Sequence, residues 1–128
     1  MRDVRVWVAW VSAATVLAFA LACGGSKHSA IFVTCDDNAQ TLLGDPGMTY
    51  RVDCPAMCTG GDVYGTDVYT DDSNLCGAAL HAGVIDSSGG TFTVTLAAGQ
   101  SGYEGSTRNG IASQDWEDAW ERSFSVSK

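Results

Sequence analysis

The residues able to do chemistry in this chain are its five cysteines, two histidines, 15 acids and four tryptophans. Cys35, Cys54, Cys58 and Cys76 sit in the middle of the chain. In an oxidising compartment four such thiols form two disulfides, and their spacing leaves all three pairings open. The competing chemistry is a four-thiolate zinc site, which the sequence does not favour because it lacks the C-x₂-C doublets such sites use. His81 is flanked by apolar residues, and His28 belongs to the N-terminal segment. No His/Asp/Ser set is legible, so His81 is read as an imidazole hydrogen-bonded to backbone between a helix and a sheet. Asp62, Asp67, Asp71 and Asp72 lack the EF-hand spacing and are read as caps and solvated loops. Trp116 and Trp120 could offer a sugar a stacking surface, with Trp116 the better candidate for an exposed contact. No paired carboxylates, nucleophile–base set or metal cluster is visible, so the sequence predicts no catalytic residue, no metal and no cofactor.

The fifth cysteine belongs to an export signal. Arg2 and Arg5 make a positive start, and Val6 to Ala22 then runs without a charge. This is the pattern of a secretory signal peptide, slightly short for a membrane-spanning helix. Ala20-Leu21-Ala22-Cys23-Gly24-Gly25-Ser26 resembles a bacterial lipobox, with Ala20 and Leu21 in the reverse of the preferred order. That resemblance implies cleavage before Cys23 and a diacylglyceryl group on its thiol. The odd cysteine is thereby accounted for, leaving four for disulfides. Gly24 in place of Asp points to the outer membrane or the cell surface. Cleavage at Ala22 by an ordinary signal peptidase, giving a secreted soluble protein, is the alternative. The sequence therefore divides into a signal peptide at 1–22, a lipidated tether at 23–29 and one domain at 30–128.

Composition narrows the function classes. The net charge is −8 over 128 residues. Cleavage would remove Arg2, Arg5 and Asp3, so seven basic and 15 acidic residues become five and 14 and the net charge becomes −9. A chain this acidic lacks the basic footprint of a nucleic-acid binder and is not drawn to anionic headgroups by charge. Its hydrophobic content of 45% supports a packed core. The 15 glycines against two prolines suggest short strands and many turns.

The elements that must position these residues centre on Tyr69 to Ile85. Asp72 and Ser73 are read as N-cap candidates, with Asp71 and Asp72 favourable at the helix N-terminus. Gly83 is the stop. Leu75, Ala78, Ala79, Leu80 and Ala82 make the segment between them apolar on most sides, the mark of a buried helix. Strands are predicted at Ala30–Cys35, at Thr49–Cys54 and at Thr91–Ala97, where Phe92, Val94 and Leu96 alternate with threonines. Val84-Ile85 is read as the start of another strand and Asn109-Gly110 as a tight turn. Trp116 and Trp120 share a predicted helical turn over Gln114–Arg122, and Phe124 and Val126 lie on a last strand.

Several segments together resemble one known family. They are Cys54-Pro55-Ala56-Met57-Cys58, Val63-Tyr64-Gly65, Val68-Tyr69 and the run Ser73-Asn74-Leu75-Cys76-Gly77-Ala78-Ala79-Leu80-His81-Ala82-Gly83-Val84-Ile85. Gly89-Gly90, Tyr103, Asn109-Gly110-Ile111, Ser113, Trp120 and Phe124 follow in order. These pieces are similar to the LCCL domain. The resemblance implies an α+β fold in which a central helix at about 73–83 is wrapped by two small β-sheets. It implies the pairings Cys35–Cys54 and Cys58–Cys76, and a buried Trp120. It also implies a non-catalytic extracellular module of a family in which some members are associated with lipopolysaccharide and innate defence. No ligand-binding residues carry over. The expected function is an exported, membrane-tethered module that binds a surface glycan, glycolipid or protein. A structural cell-envelope lipoprotein without a specific small ligand is the alternative. The expected partners are the membrane, through Cys23, and a possible ligand of the kinds just named.

Overall fold

The computed structural model describes residues 29–59 and 61–128. The expected signal peptide, Cys23 and the tether up to His28 lie outside the described residues. Among the described residues no helix is long and apolar enough to cross a membrane.

Among the described residues, eight strands and one α-helix follow each other in order. They are β1 (Ile31–Phe32), β2 (Thr49–Cys54), β3 (Gly65–Thr66), β4 (Val68–Thr70), α1 (Leu75–Ala82), β5 (Gly90–Ala98), β6 (Thr107–Arg108), β7 (Ile111–Ala112) and β8 (Arg122–Ser127). Six strands form one sheet in the order β1-β2-β5-β8-β4-β3, and β6 and β7 form a separate hairpin. The helix touches β8 on one side and β6 and β7 on the other. It is thus the central element of an α+β fold with two sheets, as expected, although the sheets are unequal.

Alternation along the strands builds the core. Val52 and Cys54 of β2, Phe92, Val94 and Leu96 of β5, and Phe124 of β8 are buried beneath the helix. Tyr50 and Val126 pack partly against them. Burying each large side chain contributes roughly 1.5–3 kcal/mol. The other face is paved with short polar groups: Thr91, Thr93 and Thr95 stand in register with Asp53, Arg51 and Thr49 on β2, and Thr93 and Thr95 with Ser127 and Ser125 on β8. One face is packed and one solvated, the usual arrangement of an antiparallel sheet.

The helix ends differ in part from the sequence reading. Asn74, not Asp72 or Ser73, is the N-cap, and its side chain accepts from the Gly77 N–H at 2.7 Å. Its amide nitrogen also donates to the Cys35 carbonyl. Ser73 is diverted to the Tyr64 N–H and the Thr70 hydroxyl. No acidic residue lies in the first turn. At the other end Gly83 adopts φ +76°, as expected of a glycine stop. The Gly83 and Val84 N–H groups return to the Leu80 and Ala79 carbonyls, a Schellman closure.

Other departures follow from where the backbone hydrogen bonds go. Only Ile31–Phe32 of the predicted first strand pairs, in parallel with Val52 and Asp53. Val84-Ile85 leaves the helix in a bend, and Ile85 packs against the core from there. Gln114–Arg122 is not helical. Gln114 N–H donates to Val63, Trp116 exchanges backbone bonds with Tyr103, and Trp120 N–H donates to Gln100. Each of these groups is committed across the chain and is not available for an i→i−4 ladder.

The disulfides are Cys35–Cys58 and Cys54–Cys76. This corrects the pairing implied by the resemblance. Cys54 shares the helix-facing side of β2 with Val52, so its sulfur meets Cys76 in the first turn of α1 and not Cys35 beside the parallel edge strand. Cys58, beyond the turn at Ala56-Met57, closes onto Cys35 with the two Cα atoms 5.0 Å apart.

Candidate functional site

His81 is the obvious chemical residue of α1, and its surroundings are structural. Its side chain has no exposed surface. Nε2 lies 3.0 Å from the Ser106 carbonyl and Nδ1 2.9 Å from the Tyr69 hydroxyl. A carbonyl can only accept, so the proton sits on Nε2, and Nδ1 accepts the Tyr69 hydroxyl. The ring therefore ties β4 of the large sheet to the loop entering the hairpin; one bond goes to backbone, as the sequence reading expected, and the other to the Tyr69 side chain, which it did not foresee. Burial raises the Tyr69 hydroxyl above its ordinary pKa; the Asp67 charge adds to this, while a backbone hydrogen bond and Arg108 oppose it.

The acidic candidates Asp62 and Asp67 are engaged by local partners. Asp67 pairs with Arg108 at 2.8 Å on the surface, and Asp62 accepts from Gln114. Hydrogen bonds from Ser88 hold the Asp86 carboxyl below its ordinary pKa. Among the described residues, no group of three or more His, Cys, Asp or Glu side chains is placed to hold a metal ion.

Three open grooves stand out among the described residues, the smallest, of about 250 Å³, beside Glu104 and Arg108. The first, of about 520 Å³, lies where the end of α1 meets the β6–β7 hairpin. Leu80, Ile85 and Ile111 give it apolar walls, and Asp86, Ser87 and Asn109 a polar rim. The second, of about 380 Å³, is formed where the chain enters β8. It is lined by Gln40, Asp71, Ala119, Trp120, Glu121 and Arg122.

The second groove is organised by Asp71, which is only 6% exposed and so is not the solvated acid expected from the sequence. Its carboxylate accepts from the Trp120 indole Nε1 at 2.7 Å and lies 3.6 Å from the Arg122 guanidinium. Arg122 in turn donates to the Leu42 carbonyl. A buried charge is tolerated where it is paired and hydrogen-bonded, and here the pairing also fixes the indole.

The structure does not separate the two tryptophans into a buried Trp120 and an exposed Trp116 as expected. Both are half-buried, but it is Trp120 that lines the groove. Trp116 packs edge-on between Tyr64 and Trp120, with ring centroids at 5.7 and 5.4 Å. Its Nε1 and the Asp72 Oδ1 are buried without a partner among the described residues. Burial, followed by the charges of Asp62 and Asp72, raises the Tyr64 hydroxyl pKa. Neither the Asp71–Trp120 bond nor the role of Gln40 had a sequence signal, since these residues are separated by loops and meet only after folding.

A family profile described as the LCCL domain matches residues 28–124. The chain belongs to the LCCL domain family. Relatives of this LCCL domain include human vitrin, 47% identical over 102 residues that make up 78% of this chain and 14% of vitrin. Clotting factor C of Tachypleus tridentatus is 42% identical over 98 residues, 71% of this chain and 10% of that protein. Human cochlin is 42% identical over 78 residues, 56% of this chain and 14% of cochlin. The chain therefore spans a small part of the length of the relatives it matches, and the likeness covers the LCCL domain alone. The capped helix with His81 and Cys76 and the Asn109-Gly110 hairpin all lie inside the LCCL match.

Proposed function

We propose that this chain is an exported, membrane-tethered LCCL module that works by binding a surface glycan, glycolipid or protein, without catalysis. The observation that carries the reading is the Trp120 groove. A half-buried indole fixed by the buried Asp71 stands beside the planar polar side chains of Gln40 and Arg122. A fixed aromatic surface with a few convergent polar groups suits a ligand that has one apolar face and a rim of hydroxyls or amides. The two disulfides fit an oxidising, exported setting. The tether rests on the lipobox-like sequence ending at Cys23.

Two experiments test this. Intact-mass analysis of the exported protein should find a diacylglyceryl adduct on Cys23; an unmodified thiol there ends the tether reading. A glycan array and an envelope pull-down with the exported protein should each be repeated with Trp120→Phe. Silence of the native protein in both ends the binding reading. It would then favour the structural-lipoprotein alternative, which the Thr- and Ser-paved outer face of the sheet also suits.

A further inference from the structure

The Trp120 groove carries information about the charge of its ligand as well as its shape. Its lining contains two carboxylates, Asp71 and Glu121, and one cation, Arg122. That cation is already committed, donating to the Leu42 carbonyl at 2.8 Å and facing Asp71 at 3.6 Å. The segment that delivers the indole reads Asp115-Trp116-Glu117-Asp118-Ala119-Trp120-Glu121, with four acids and no base. The Asp115 carboxylate accepts from the Gly105 N–H at the surface. Glu117, Asp118 and Glu121 are exposed, and none has an ion-pair partner among the described residues.

Of these, Glu121 lines the groove beside Trp120, close enough to act at physiological ionic strength, where screening sets in at about 8 Å. A phosphate, sulfate or uronate entering the groove would be repelled. An ammonium group would be attracted by the rim, and over the indole face it would gain a cation–π contribution. Gln40 offers an amide donor and an acceptor for hydroxyls. The groove, at about 380 Å³, is at the small end of the range for ligand sites.

We propose that the Trp120 groove selects an amine-bearing glycan, one with free amino sugars, over acidic or phosphorylated glycans. This rests on the binding reading above and adds the class of ligand. The test is calorimetric titration of the exported protein in mild detergent, below the pKa of the sugar amine. The probes are a glucosamine oligomer, its N-acetylated counterpart and a heparin fragment of the same length. The glucosamine oligomer should bind most tightly and weaken with added salt, and the heparin fragment should not bind. Glu121→Gln, an exposed change that leaves Asp71 and Trp120 in place, should weaken the glucosamine oligomer about threefold, the scale of one rim charge. Comparable binding of the heparin fragment, or no effect of Glu121→Gln, overturns the proposal. Equal binding of the free and acetylated oligomers, both weakened by Trp120→Phe, keeps the glycan site but overturns its charge selectivity. No binding by any oligomer overturns the ligand class, and the glycan array and pull-down then decide whether the binding reading also falls.

Discussion

At His81 one side chain links three parts of the domain, since it belongs to α1 and bonds Tyr69 on β4 and Ser106 beside the hairpin. Truncation would open a cavity and leave a buried hydroxyl without its acceptor. His81→Ala should therefore lower stability by about 3 kcal/mol, measured by denaturant unfolding. Loss of ligand binding with stability unchanged would contradict the structural role. Tyr69 gives a pH dependence of definite sign. Its folded pKa lies above the unfolded one, so its stabilisation is complete below the ordinary tyrosine value of about 10 and is lost as pH rises toward the folded value. Thermal unfolding above about pH 10 should show this loss. Tyr69→Phe should be less stable at neutral pH and should show a smaller alkaline decline, with Tyr64 supplying part of what remains.

Among the elements, the helix depends most on its caps. It spans only eight residues, too few to persist alone, so it is held by packing and by its ends. Asn74 satisfies the Gly77 N–H and the Cys35 carbonyl with one amide. Asn74→Ala should cost about 2 kcal/mol, at the upper end for a cap, and Asn74→Asp less, because the aspartate keeps the acceptor. Chemical denaturation of both variants checks the order; equal losses would contradict the cap assignment. The segment Gln114–Arg122 makes the opposite point. Its two tryptophans do touch, at 5.4 Å, yet they do so from extended backbone held by Val63, Tyr103 and Gln100. A four-residue spacing marks neighbours on a helix only when the chain's own hydrogen bonds are free to make one.

On the scale of the whole molecule, two disulfides brace a small core. Cys54–Cys76 joins the large sheet to α1, and Cys35–Cys58 joins the exit of β1 to the turn after β2. The linked residues are 22 and 23 positions apart. In the chain-entropy model a loop of about 20 residues is worth about 3 kcal/mol, a large share of the stability of a domain this size. Replacing both Cys54 and Cys76 by serine should cost about that much, read from the shift in the denaturant midpoint. Non-reducing peptide mapping should recover Cys54 joined to Cys76; a Cys35–Cys54 peptide would contradict the fold.

What the sequence determined by itself was local. Thr49–Cys54 pairs over its whole predicted length, the Thr91–Ala97 strand extends by one residue at each end, Gly83 closes the helix and Asn109-Gly110 turns the hairpin. Each rests on information held within a few consecutive residues: alternation that sorts side chains between two faces, or a glycine that enters positive φ without cost. Tertiary structure alone decided which sulfurs meet, which tryptophan lines a groove and why Asp71 is buried. Those outcomes depend on distant elements arriving side by side: β2 beneath α1, and the entry to β8 beside Asp71. Spacing along the chain does not encode such proximity, because it is set by how the whole core packs.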